Sequence, residues 1–172
     1  MAGLSWSRLL RHRLWDEEDA RRVLPAEVLD RLQQRVADSE RRHSGEIRVC
    51  VEAGLPLSYL WRGATARERA ITMFGKLKVW DTEYNNGVLI YLLLAEHRIE
   101  IVADRAVARC VGPDHWQHLV DAMGQAFRAG RFEQGLADAI DAVDALLVAH
   151  FPRDATGATP RLNELPDAPL LG

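Results

Sequence analysis

The sequence predicts an α/β domain built on a small mixed sheet, and three observations predict it. Residues 46–52 alternate strictly between polar and apolar side chains, the two-residue period of a strand. Residues 88–94 are continuously apolar, as a strand covered on both faces would be. Around these segments apolar side chains recur every three or four residues, the period of helices that bury one stripe.

The first twenty residues stand apart. Trp6, Leu9, Leu10 and Leu14 fall at helical spacing with Arg8, Arg11, His12 and Arg13 between them. The acidic run Asp16, Glu17, Glu18, Asp19 follows. Two readings stand side by side. A short basic amphipathic helix can lie on an anionic membrane, or it can pack its tryptophans on its own domain. Residues 1–22 are read as an N-terminal amphipathic arm, and residues 1–20 as the expected contact with a membrane surface or a membrane protein.

From Pro25 a helix is clear, because Leu24, Val28, Leu32 and Val36 repeat every fourth residue. Proline suits the first helical turn, and Gly45 ends the segment. The strand Glu46–Glu52 points Ile47, Val49 and Val51 one way and Glu46, Arg48, Cys50 and Glu52 the other, giving one apolar face. A loop with Tyr59 and Trp61 follows. Thr65 and Glu68 form a capping box, and the helix they open is expected to reach about Val79. The stretch Trp80–Gly87 is a polar loop whose Asn85-Asn86-Gly87 suits a tight turn with positive φ. Val88–Leu94 and Arg98–Ala103 are joined by so few residues that they should form an antiparallel hairpin. Two helices close the domain, one starting at Gly112 and one at Phe132, with Ala129-Gly130-Arg131 breaking between them. The domain proper is set at 23–152. Four prolines, Pro152, Pro160, Pro166 and Pro169, punctuate the rest, so 153–172 is read as a disordered Pro-rich tail.

The element order α-β-α-β-β-α-α decides which loops meet. A crossover helix makes the first two strands parallel, and the hairpin reverses the third. His43 and Glu46, then Asp81, Asn85 and Asn86, then Asp104 and Arg105 therefore share one end of the sheet. Glu52, Glu96 and His97 lie at the other. Carboxylate and amide oxygens on loops are what hard cations prefer, so Asp81, Asn85, Asn86 and Asp104 are the candidate ligand or metal residues. His43, Glu46 and Arg105 are the supporting polar cluster. Turn and cap chemistry would place the same residue types there without any ligand.

Composition narrows the function further. The net charge of −3 carries no basic excess, which argues against a nucleic-acid partner. The two cysteines, Cys50 and Cys110, fit neither a disulfide scaffold nor a metal spacing. No run approaches the roughly 20 apolar residues of a membrane span, and Met1–Trp15 makes a poor secretory signal. Cytoplasm is the expected compartment. His115 and His118 lack a third ligand nearby, and there is no phosphate-binding loop.

Together these segments resemble the TPM domain family, and more closely its short branch without signal peptide or membrane anchor. The residues that carry the likeness are His43–Arg48, Arg67–Ala70, Trp80–Tyr91, Glu100–Arg105 and Phe127–Leu136. The resemblance implies a three-layer α/β/α sandwich of Rossmann-like kind with helices on both faces. It also implies acid phosphatase activity and calcium binding, as in plant relatives, or a role near membrane proteins, and the expected cofactor is Ca²⁺ or Mg²⁺. Longer members carry a glycine-rich segment where this chain has Asp104-Arg105-Ala106-Val107, so only Asp81, Asn85, Asn86 and Asp104 match by position. Two functions are expected from this: an accessory or binding domain beside membrane proteins, or a divalent-metal-dependent phosphatase.

Overall fold

A computed structural model describes residues 6–153 and 163–172. One sheet organises them. Strands β1 (Glu46–Glu52), β2 (Gly87–Leu93), β3 (Arg98–Ala103) and β4 (Leu170–Leu171) lie in the order β3-β2-β1-β4. β1 runs parallel to β2 and to β4, and β2 runs antiparallel to β3. The expected α/β/α sandwich is found. Helices α2 (Glu17–Val23), α3 (Ala26–Ser39), α7 (Pro113–Arg128) and α8 (Phe132–His150) cover one face, where Ile47, Val49, Val51, Ile90 and Ile101 are buried. Helices α4 (Leu57–Trp61) and α5 (Ala66–Lys76) cover the other, over Cys50, Leu89, Tyr91 and Val102. Helix α1 (Trp6–Leu14) lies against the turn Leu94–Glu96 between β2 and β3, and α6 (Arg105–Cys110) follows β3. Among the described residues no helix is long and apolar enough to cross a membrane.

Local chemistry places the elements. Thr65 and Glu68 make the expected capping box at the start of α5. The helix stops at Lys76, earlier than Val79, because Lys78 turns left-handed (φ 54°) and the Val79 N–H closes back on the Phe74 carbonyl. Gly87 has no substitute: a Cβ there would sit 2.0 Å from the Val79 carbonyl oxygen. The acidic run of the arm opens a helix of its own, with Asp16 and Asp19 capping it reciprocally.

The expectation of a disordered tail over 153–172 is corrected for its last ten residues. Leu165 is buried, and Leu170 and Leu171 pair with Cys50 and Val51 as an edge strand. Residues 154–162 lie outside the described residues. Composition misled here because so short a segment carries too few apolar residues to show a period, and its order comes from the edge of β1. The loop after β1 likewise holds a short helix, α4. β1 itself has no solvent face, and all seven of its residues are buried.

The charged end of β1 is neutralised by a compact network. Arg69 of α5 donates from Nε and Nη2 to the two carboxylate oxygens of Glu52, at 2.8 and 2.5 Å. The Tyr91 hydroxyl of β2 donates to Glu52 Oε2 at 2.6 Å. Burial and the neighbouring carboxylate push that phenol far above its usual range. The Arg69 guanidinium also lies 5.0 Å from the Tyr59 ring centre. Removing one partner of a buried ion pair strands the other charge, which costs about 3–5 kcal/mol. Arg69→Ala should therefore lower the unfolding free energy by about that much in urea titration. Arg62→Ala removes an exposed guanidinium over the same ring and should cost less than about 1 kcal/mol. Equal losses from the two variants would refute the assignment.

Candidate functional site

The three loops meet at one sheet end as the strand directions require. Asn85 adopts the left-handed conformation (φ 53°) that asparagine tolerates better than most residues. Its Oδ1 accepts from Arg105 Nη2 at 2.8 Å, and its carbonyl accepts the Ala106 N–H. Asp104 caps α6, with Oδ1 accepting the Arg105 N–H, while its own N–H donates to the Gly87 carbonyl. Asn86 is fully buried. Its N–H donates to the Thr82 hydroxyl, and its Nδ2 donates to Ser44 Oγ at 3.2 Å. Turn and cap chemistry thus accounts for most polar atoms here.

Two atoms are left over. Asn86 Oδ1 and Asp104 Oδ2 are buried acceptors with no hydrogen-bond donor among the described residues. Unpaired buried oxygens of this kind are what a hard divalent cation binds. Asp81 is exposed, and among the described residues no hydrogen bond or ion pair ties its side chain to the others. Nor do three His, Cys, Asp or Glu side chains gather to hold a metal. Both unpaired atoms are oxygens of the type a hard cation accepts, and water would have to supply most of any such shell. Beside them a cavity of about 310 Å³ is lined by Tyr84, Asn85, Arg105 and Arg109.

The supporting residues divide between the two faces. His43 is buried on the helical face holding α3 and α8. Its Nε2 lies 2.9 Å from Ser39 Oγ, which donates to Asp144 Oδ1 at 2.9 Å. Arg42 closes the set on Asp144 Oδ2 at 2.8 Å. Although serine, histidine and aspartate are present, one hydroxyl contacts both partners and all three are buried, so the group pins α3 to α8. Glu46 points to the opposite face, where Oε2 accepts the Leu165 N–H at 3.3 Å. Next along β1, the buried Arg48 donates from Nη1 to the carbonyls of Pro166 and Ala168. Glu164 accepts the Glu83 N–H at 2.9 Å, joining the tail to the polar loop. Sequence reasoning passed over Arg48, Ser39, Asp144 and Glu164. The one available signal was Arg48, a full charge at an alternating position of a strand.

A family model described as the TPM domain matches residues 18–146. Among solved structures, the BA42 protein of the psychrophilic bacterium Bizionia argentinensis is 30% identical with a TM-score of 0.73, and the match covers 87% of this chain and 95% of that one. The N-terminal domain of a P. gingivalis protein is 16% identical with a TM-score of 0.57 over 77% and 83% of the two chains, a likeness of fold alone. No curated protein matches the chain.

Burial pushes the Glu46 carboxyl up to about 7, against the pull of the Leu165 and Glu164 N–H groups. A carboxyl raised in the folded state stabilises it fully below the unfolded value of 4.5, and loses that contribution as pH rises through about 7. His43 acts in the opposite sense. Burial lowers its pKa to about 4, so between pH 6.5 and about 4 the unfolded chain takes up a proton that the folded one refuses. The two contributions oppose each other over much of this range. Glu46→Gln should remove one of them, so that stability in urea titration rises more steeply with pH between about 4.5 and 6.5 than in the parent. An unchanged slope would contradict the burial of Glu46 as the cause.

Proposed function

This chain belongs to the TPM domain family, and from that premise we propose that it is a non-enzymatic accessory domain, working in the cytoplasm against a membrane surface beside membrane proteins. One observation carries the reading: helix α1 is docked through Arg8 and His12, with Leu9 packed beside them, and turns its other apolar side chains outward. Arg8 Nε donates to Glu96 Oε1 at 2.7 Å, and Arg8 Nη2 donates to the Ala64 carbonyl at 2.7 Å. The buried His12 bridges Glu96 Oε1 and the Leu55 N–H, each at 3.0 Å. Burial would raise the Glu96 carboxyl, but the bonds from His12 and Arg8 together outweigh it and hold it at about 2.

The consequence is an outward apolar stripe. Trp6, Leu10 and Leu14 are 73%, 59% and 76% exposed. Helices on a soluble domain normally turn such a stripe inward. Arg11 and Arg13 flank it, and α1 carries no acid. Leu57 and Trp61 of α4 are exposed as well. Apolar side chains with an indole, edged by arginine, suit the headgroup boundary of an anionic bilayer. Trp6→Ser, Leu10→Ser and Leu14→Ser together remove side chains worth about 1.5–3 kcal/mol each when buried. The triple variant should lose at least about tenfold in co-sedimentation with phosphatidylserine vesicles. Parent-like sedimentation would defeat the proposal.

A second reading, a divalent-metal-dependent phosphatase, is favoured by the unpaired Asn86 Oδ1 and Asp104 Oδ2. Those two residues would hold Ca²⁺ or Mg²⁺, and the Arg105 and Arg109 side of the small cavity would take an anionic phosphoryl group. The chemistry such a cation supplies is polarisation of a phosphoryl oxygen and an acidified water. Titrating either ion to millimolar levels should shift the amide resonances of residues 85–87 and 104–106, and Asp104→Asn should abolish the shifts. Shifts that persist in Asp104→Asn, or no shifts in the parent, would exclude this reading.

A further inference from the structure

The segment 163–172 is held almost entirely by its own main chain. Arg48 donates to two of its carbonyls, Pro166 and Ala168. Glu46 accepts the Leu165 N–H. The Gly172 N–H donates to the Val51 carbonyl at 2.9 Å, and the Gly172 carbonyl accepts the Ala53 N–H at 2.8 Å. The strand pairing itself spans only Leu170 and Leu171. Three side chains add apolar contact: Leu165, buried, and Leu170, half-buried, in the cluster under α5, and Leu171, half-buried, against the core on the opposite face. Main-chain recognition of this kind is indifferent to sequence. It selects an extended strand, while pockets for a few side chains set the specificity.

The floor of the groove is charged. It carries Glu46 and Arg48, two charged side chains that regain hydration when uncovered. Arg48 is a buried cation held by the carbonyl oxygens of Pro166 and Ala168, with the Asp167 carboxylate of the same segment acting on it. Hydration of these two side chains offsets part of the cost of uncovering the apolar contacts beside them. We propose that the outer edge of β1 is a peptide-recognition groove in which residues 163–172 are the resident ligand, exchangeable for a segment of a partner protein that follows the same bent path with leucine-type side chains five residues apart. The five-residue spacing is that of Leu165 and Leu170. Because Glu164 also accepts the Glu83 N–H, exchange would free the loop that leads to Asn85 and Asn86.

The test uses the full chain and, as probe, a synthetic peptide with the sequence of residues 163–172. In the parent, amide exchange of Leu170, Leu171 and Gly172 should proceed by local opening, at least about tenfold faster than that of the β1–β2 ladder. In the full-length Leu165→Ser, Leu170→Ser variant the resident segment competes less well for its own groove. That variant should bind the added peptide at least about tenfold tighter than the parent does, because a tethered competitor acts at a high effective concentration. A control peptide with serine at both leucine positions should not bind. Tail amides that exchange only with global unfolding would overturn the proposal, whether or not the variant folds. So would equal binding of the two peptides. A dimer that forms with rising concentration and protects the same amides would replace the partner segment with a second copy's tail.

Discussion

Four polar side chains on the inner strand β1 set the terms for everything packed around it. The two-residue alternation sends Ile47, Val49 and Val51 into the apolar layer under α3 and α8, and it sends Glu46, Arg48, Cys50 and Glu52 to the opposite face. That face is covered, so each polar group needs a partner on the element above it. Glu52 receives Arg69 and Tyr91. Arg48 receives two carbonyls and Glu46 an amide. Cys50 makes no ion pair, and burial lifts its thiol to about 12, which leaves it inert. Helix α5 and the segment 163–172 can thus be understood as the two halves of one solution to the charges of β1.

The molecule keeps its surface chemistry apart from that solution. At one sheet end, Asn85, Asn86, Asp104 and Arg105 form a small polar rim in which most atoms serve turns and caps. At the other end, Glu96 gathers Arg8 and His12 and fixes the direction α1 faces. The two ends are separated by the length of the strands. A ligand at the rim and a surface against α1 would therefore not compete for space. The segment 163–172 is the piece that touches the rim side, through Glu164 and the Glu83 N–H.

Topology was the most legible part of the sequence. Once 46–52 and 88–94 are strands joined by a helix, their parallel pairing and the meeting of three loops follow from connection length alone. Side-chain direction was less legible. The helical spacing of Trp6, Leu10 and Leu14 predicts α1 well, but its outward stripe depends on Glu96, which lies 88 residues from Arg8. Asp81 shares a loop with Asn85 and Asn86, yet a turn closing on the Lys78 carbonyl leaves it exposed. The paired end of the tail was invisible because two adjacent leucines carry no period, and prolines interrupt the stretch before them. Membership of the TPM domain family shows the fold and leaves the chemistry of the rim to the residues themselves.

The parallel pairing of β4 on β1 also orders the events of folding. The β2–β3 hairpin is closed by four residues, Leu94–His97, and forms from local contacts at little entropic expense. β1 joins through the crossover that contains α5, bringing Arg69 to Glu52. Arg48 meets Ala168 across 120 residues, a late and slow contact by the same reasoning. Until then the Glu46 and Arg48 side chains remain hydrated at an open sheet edge. Charge on that edge discourages strand-to-strand sticking between nascent chains, so the residues that make the last docking step demanding are also the ones that keep the unfinished sheet in solution.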